Sequence, residues 1–390
     1  MLTRVRVTTS GESHGKGLIA IVEGLPSGLA VDSEAIDAEL KRRQRGHGRG
    51  DRMKIEADTV EILSGIRFGE TIGSPIALFI RNRDWENRKA EMAAAGPRLP
   101  GVPEVKIPRP GHADLAGAVK YGFSDIANVA ERASARETAA RVAAGAVCKQ
   151  LLAEFGSRIL SHVVSIGGVA SAAGRPDDAE AASRAEESPV RCLDPEASQR
   201  MAEEIDAARE RGDTLGGVFE VIAFGVPPGL GSYAQWDTRL DGLLAQAMLS
   251  IPAIKGVEVG DAFLSASRPG SQVHDEILPA ESGWPARRSN RAGGIEGGVS
   301  NGEPVVVRCA MKPISSLKAS LMSIDLESGE ARESRYERSD VCAVPAAAAV
   351  GEAQMAIVLA DALLCKFGGD SLPETKRNFE SYVKENPHRR

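Results

Sequence analysis

The sequence predicts a mixed α and β fold in which two related βα halves share one core. Three observations carry the prediction. Strand-like alternation, Gly/Pro turns and helical spacing of apolar residues succeed one another along the whole chain. The order of these segments recurs about two hundred residues later. Each half closes on a long helix whose Ala and Gly face suits tight packing against another element.

Taken in order, Thr3 to Thr9 alternates polar and apolar residues and reads as a strand. The stretch "GESHG" (Gly11 to Gly15) follows, then "GLIAIVEGLPSGL", a second strand ending in a Gly/Pro turn. "VDSEAIDAELKRRQ" is a helix capped by Asp32 or Ser33, with Ile36 and Leu40 on one face. Strands follow near Lys54 to Leu63 and Pro75 to Ile80, then a long polar, proline-rich stretch. Such a loop inside a compact domain is usually functional, and Trp85 to Pro110 is read as a lid. "ERASARETAARVAAGAVCKQLLAEFG" is a small-residue-rich helix.

The second half echoes the first. "GVFEVIAFGVPPGL" from Gly217 repeats "GLIAIVEGLPSGL", "GEPVVV" at Gly302 repeats "GSPIAL" at Gly73, and "LLCKFG" repeats "LLAEFG". Arg132 and Arg338 each precede a long helix. The whole chain, 1–390, is therefore read as one domain. Its pseudo-repeats lie at about 1–160 and 213–370 around a pseudo-twofold axis, with a connecting segment at about 172–212 that carries an acidic helix.

Composition excludes several classes. Hydrophobic residues at 42% and charged residues at 26% are the balance of a soluble globular protein. A net charge of -6 disfavours nucleic-acid binding through bulk charge. No apolar run approaches membrane-spanning length and no signal pattern opens the chain, so no membrane partner is expected. The five cysteines are scattered without C-x-x-C pairs, which argues against structural zinc and points to a reducing cytoplasm. The tail after Ser371 is expected to be partly disordered.

The motifs concentrate cations and glycines. "KRRQRGHGRGDR", Lys41 to Arg52, is either a solvated basic turn or an anion site where guanidinium forks and bare N–H groups meet one ligand. "GESHG" has the letters of a hydrolase elbow, but a strand rather than a helix follows it. It is nearly a phosphate loop, but its spacing is short and Gly17 stands where Ser/Thr would hold Mg²⁺. A Gly-rich turn with a polar tip remains. His112 sits on a turn beside Arg109, ahead of a helix beginning near Asp114, either as a structural hydrogen-bonder or placed to meet an anion. Arg132, Ser134 and Arg136 lie at one helix entry, Arg338 and Asp340 at another, as caps or as site residues. "NRAGGIEGGVSNG" demands a close backbone approach. This inventory suits a substrate and cofactor that both carry phosphate or carboxylate.

"GESHGKGLIAIVEGLP", "ERASARETAARVAAGAV" and "RSDVCAVPAAAAVGEA" closely resemble the signature regions of the chorismate synthase family. "RPGHADLAGAVKYGF", "GDTLGGVFE", "NRAGGIEGG" and "KFGGDS" extend the resemblance from about Met1 to Ser371. It implies an α+β fold, a β-α-β sandwich with helices between two antiparallel sheets, assembled as a homotetramer. It also implies 1,4-anti elimination of phosphate from 5-enolpyruvylshikimate 3-phosphate, giving chorismate with reduced FMN and no net redox change. His14 and His112 match the family's catalytic histidines, His14 as acid toward the departing phosphate and His112 as donor to the flavin. Asp340 matches an acid that assists removal of the C6 proton, and Ser13 and Ser134 match supporting serines. FMN contacts are implied for Arg132, Ala133, Ser134, Pro252, Ala253, Gly298, Lys312, Pro313, Ile314, Ser315, Ser316 and Arg338. Arg43 and Arg49 match positions assigned to a nicotinamide nucleotide. Their residue types read as an anion site, so they are expected to serve substrate as well, with Arg109, Arg136 and Ser10. NADPH or a separate flavin reductase is the possible source of reducing equivalents. No G-x-G-x-x-G between strand and helix marks a separate dinucleotide site. The rival readings are a serine hydrolase acting through Ser13 and a non-catalytic flavin-binding protein.

Overall fold

The computed structural model describes residues 2–50, 57–279, 283–386 and 388–389. Labels below cover the strands of the two large sheets and the longer helices. The chain runs β1 (Arg6–Ser10), β2 (Gly17–Glu23), α1 (Ser33–Gln44), β3 (Val60–Ser64) and β4 (Ile76–Arg81). Next come α2 (Asp114–Tyr121), α3 (Ala127–Ala133), α4 (Thr138–Ala153), β5 (Arg158–Ile166) and β6 (Val169–Ala170). Then follow α5 (Pro195–Glu210), β7 (Gly217–Phe224), α6 (Leu240–Leu249), β8 (Ile254–Val259), β9 (Val305–Met311), α7 (Val344–Phe367) and α8 (Leu372–Glu385). Positions 51–52 of the basic run and 54–56 of the expected third strand lie outside the described residues.

Two antiparallel sheets form, with strand orders β1-β2-β4-β3 and β8-β9-β7-β5-β6. Alternation explains the first: in β4 Ile76, Leu78 and Ile80 point inward and are buried, as Leu18, Ala20 and Val22 are in β2. Helix α4 packs on the first sheet, α7 packs on β5 and β7 of the second, and the two helices pack on each other. The protein is thus an α+β sandwich with its helices inside. At the crossing of α4 and α7, a Cβ on Gly145 would stand 2.4 Å from Ala353 Cβ, so the backbones meet where only a glycine fits. Read from β5, the second sheet runs β5-β7-β9-β8, matching β1-β2-β4-β3 in the first. Because β5 belongs to the second sheet, the segment 172–212 joins two strands of that sheet.

Three expectations are corrected. Helix α7 has 24 residues and a mean hydropathy of 1.6 in its most apolar window, so a span of membrane-crossing length does exist. That window is 94% buried between the sheets, which makes α7 the core helix. The stretch read as one helix from Glu131 breaks at Ser134, whose backbone is extended and whose Oγ accepts from Arg136 N at 3.3 Å. The tail beyond Ser371 is ordered as α8. Its Phe379 packs edge-on against Phe155 and Phe367, so an aromatic face anchors it.

The core also holds charge. Glu352, fully buried in the middle of α7, accepts from Arg42 Nη1 and Nη2 at 2.7 and 2.9 Å and from Lys149 Nζ at 2.5 Å. Arg191 Nη2 at 2.9 Å and Ser161 Oγ at 2.6 Å complete its shell. Arg42, from the basic run, therefore reaches a core carboxylate from a half-buried position. Burial alone would raise the Glu352 pKa, but Lys149, Arg42 and Arg191 overcome it and hold the carboxyl well below its usual range. Asp58 and Glu220 are likewise held low against burial by paired cations. Carboxylates with depressed folded pKa values contribute stability that is present above their unfolded pKa, about 4, and is lost as pH falls. Thermal unfolding followed from pH 7 to pH 3 is expected to show a constant melting temperature down to about pH 5 and a steep fall below it.

Candidate active site

The "GESHG" turn joins β1 to β2, so a strand follows it and the elbow geometry is absent. Gly11 adopts φ 106°, and a Cβ there would lie 2.3 Å from Gly17 O, which keeps the turn tight. Asn82, just after β4, fastens the turn: its Nδ2 donates to the carbonyls of Glu12 (3.0 Å) and Gly15 (2.8 Å). Arg132 reaches back from the end of α3, donating to Gly11 O at 3.0 Å and Thr9 O at 3.1 Å. Ser13 is buried and its N–H donates to Glu131 O.

His14 is held by Glu131. Its backbone N–H donates to Glu131 Oε2 at 2.8 Å, and its Nδ1 lies 2.7 Å from Oε1. On the other side of the ring, Nε2 stands 4.0 Å from Asp84 Oδ2. Behind the turn, Arg136 binds Asn82 Oδ1 through Nε (2.9 Å) and both oxygens of Asp58 through Nη1 (2.7 Å). Arg43 Nη2 donates to the same Asp58 at 2.8 Å. Burial pushes the Arg43 pKa down to about 10, and the like charges of Arg136 and Arg49 add to this against the attraction of Asp58.

Arg49, the neighbour of Arg43, pairs with Asp340 at 2.6 Å, while Gly50 N–H donates to the other Asp340 oxygen at 2.7 Å. Asp340 thus does not cap α7; the helix begins at Val344 without a side-chain cap. Ser339 Oγ donates to Ser316 O, and Ser316 Oγ accepts from Arg109 Nη1 at 3.2 Å. Arg109 Nε and Nη2 grip the two oxygens of fully buried Asp114 at 2.8 and 3.0 Å, and Nη1 binds Glu337. His112 Nδ1 lies 2.5 Å from Asp114 Oδ1. Burial raises the Asp114 pKa, yet His112 and Arg109 outweigh it and keep the carboxyl well below its usual range.

Two runs of contacts result: the turn that carries His14 is joined through Asn82, Arg136 and Asp58 to Arg43, and Arg49 and Asp340 are joined through Ser339, Ser316 and Arg109 to His112. Lys312 joins the second: its N–H donates to Ala253 O at 2.9 Å, and its Nζ approaches the Gly111 turn beside His112. Arg338 is exposed and makes no ion pair among the described residues. Ser10 is exposed at the end of β1. The Gly298 carbonyl accepts from Leu240 N at the start of α6. Glu131, Asp58, Asn82 and Asp114 were not singled out in the sequence. Only Asp114, two residues beyond His112, carried a local signal. A separate cavity of about 670 Å³, lined by Arg175, Arg184, Cys192 and Ser198, contains none of the predicted site residues.

The chorismate synthase family model matches residues 5–364. A chorismate synthase from Aquifex aeolicus is 57% identical over 98% of both chains. One from Desulforudis audaxviator is 58% identical over 97% of both. The chain belongs to the chorismate synthase family. A crystal structure of chorismate synthase superposes with a TM-score of 0.80 at 49% identity, covering 99% of each chain.

Enzymes of the chorismate synthase family use reduced FMN, and the residues present fit such a group. Burial and the nearby Lys255 push the Lys312 pKa down, and Lys312 makes no ion pair among the described residues, so an anionic phosphate would be matched by it.

Proposed function

We propose that this chain converts 5-enolpyruvylshikimate 3-phosphate to chorismate by 1,4-anti elimination of phosphate and the C6 hydrogen, as a lyase of the shikimate pathway to aromatic amino acids. The observation that carries the reading is the 57% identity over nearly the full length of both chains. Reduced FMN, when bound, supplies transient electron donation to the substrate and is left unchanged in redox state.

The chain's own residues divide the remaining work. Arg43, Arg49 and Arg136 meet the substrate's anionic groups; buried Asp58 holds the forks of Arg43 and Arg136, and Asp340 holds that of Arg49. His14 donates a proton from Nε2 to the departing phosphate oxygen. Asp114 orients His112 through Nδ1, leaving Nε2 to hold a proton against the flavin ring. Asp340, oriented by Arg49 and Gly50, offers its remaining lone pairs to the C6 proton. Lys312 to Ser316, Pro252, Ala253, Arg132, Ala133, Ser134, Gly298 and Arg338 are the proposed flavin contacts, with Arg109 and Ser10 proposed for substrate. Arg109 is engaged by Asp114 and Glu337, which supports a role in orienting His112.

The segment Trp85–Pro110 is the proposed lid, anchored at its far end where Asp125 accepts from Val105 N at 3.0 Å and from Arg98. Homotetrameric assembly, a cytoplasmic location, and reduction of the flavin by NADPH or by a separate reductase belong to the same reading and rest on family membership. An ancient duplication of one βα half is proposed from the matching strand orders. It predicts that the two halves superpose.

The experiment is an anaerobic incubation of enzyme and substrate with reduced or oxidised FMN, following phosphate and chorismate absorbance. Both products are expected with reduced flavin only. Ester hydrolysis that needs no flavin and is lost in Ser13→Ala would favour a hydrolase; flavin binding without phosphate release would favour a carrier. The burial of Ser13 speaks against the hydrolase.

A further inference from the structure

We infer that Glu131 is a positioning residue that fixes the ring of His14 with a proton on Nδ1 and Nε2 turned to the substrate. The inference rests on the assignment of His14 as the acid toward phosphate. Its basis is the double grip of one carboxylate on one residue: Oε2 takes the His14 backbone N–H at 2.8 Å and Oε1 takes Nδ1 at 2.7 Å. An ionised carboxylate only accepts hydrogen bonds, so Nδ1 must be the donor. The ring nitrogen left for chemistry is then Nε2.

This arrangement matches both ends of the proton transfer. Before it, the imidazolium carries protons on both nitrogens, the one on Nδ1 donated to Glu131. In the transfer the Nε2–H bond breaks and an O–H bond forms on the leaving phosphate. The ring is left neutral with its proton on Nδ1, which is the tautomer that Glu131 holds. Helix α3 supplies the rigidity. Its last turn carries Glu131, the Glu131 carbonyl accepts from Ser13 N at 3.0 Å, and Arg132 ties the same helix end to Thr9 and Gly11. Backbone and side chain of the turn are thus referred to one helix end.

An amide at position 131 cannot reproduce this. Two donors of His14 face the side chain, whereas glutamine offers one acceptor and one donor of the same shape. If its oxygen keeps the backbone N–H, its NH₂ faces Nδ1, which favours the other neutral tautomer and opposes the imidazolium.

The test is a double-mutant cycle of Glu131→Gln and His14→Ala in the anaerobic assay with reduced FMN and 5-enolpyruvylshikimate 3-phosphate. Glu131→Gln is expected to lower kcat by about tenfold to a hundredfold, with KM changed less than about threefold. His14→Ala keeps the backbone N–H that Glu131 also binds, so a merely structural contact would persist in that background. Adding Glu131→Gln to His14→Ala is therefore expected to change kcat by less than about twofold. Losses that multiply, or a Glu131→Gln enzyme with unchanged kcat, would overturn the inference while leaving His14 as the acid. A His14→Ala enzyme at full rate would instead overturn the assignment of His14, and the inference with it.

Discussion

Glu352→Ala is expected to lower the melting temperature by at least about 5 °C, the largest stability loss of any single substitution considered. The carboxylate is the shared partner of Arg42, Lys149 and Arg191, which lie in or near the centre of the sandwich. Removing it leaves three cations to be served by Glu39 and Glu186. Breaking a buried charge cluster by deleting one partner costs about 3–5 kcal/mol, because the charges left behind stay desolvated. That is a large share of the roughly 5–15 kcal/mol by which domains are stable. Glu352→Gln should lose less, since it keeps the shape and the Ser161 hydrogen bond. Differential scanning calorimetry checks this, and a melting point within 2 °C of the parent for Glu352→Ala would show that the cluster contributes little.

His14→Ala and His112→Ala are each expected to reduce kcat by about a hundredfold or more, the usual scale for a lost acid–base group. Neither should unfold the protein, because both rings are partly exposed and neither lies in the hydrophobic core. The two losses have different origins. His14 is held by Glu131 through Nδ1, and its Nε2 is the proposed donor to phosphate. His112 faces Asp114, whose charge is matched by Arg109, and serves the flavin side of the site. Steady-state rates together with circular dichroism of each variant measure both claims. A folded variant retaining more than about a tenth of the parental kcat would remove that histidine from the mechanism.

What was legible in the sequence was what local patterns govern. The strand after "GESHG" follows from the alternation of "GLIAIV", and it excludes the hydrolase elbow. The cap at Asp32 was legible too, its side chain accepting from Glu34 N at 2.8 Å. What was hidden depends on distant partners. Asp58 serves Arg136 from 78 positions away and Arg42 meets Glu352 across 310, so no spacing rule assigns either pair. The basic run reads as a solvated turn or an anion site, and nothing local in it shows that Arg42 meets Glu352, Arg43 meets Asp58 and Arg49 meets Asp340. The length of α7 was masked for the same reason. Glu352 and Asp361 interrupt its apolar run, yet Asp361 spends its Oδ1 on the N–H groups of Thr3, Arg4 and Val5, at 3.0, 2.6 and 2.8 Å. Both acidic residues of that helix are bound by distant stretches of the chain.

The central claim is that this chain eliminates phosphate from 5-enolpyruvylshikimate 3-phosphate with a flavin that is required but not consumed. An anaerobic reaction with substoichiometric reduced FMN tests it most directly, with phosphate, chorismate and flavin absorbance recorded together. The account predicts phosphate and chorismate in equal amounts through many turnovers, with the flavin still reduced at the end. Phosphate formation limited to one equivalent per flavin, with the flavin oxidised in step, would contradict it.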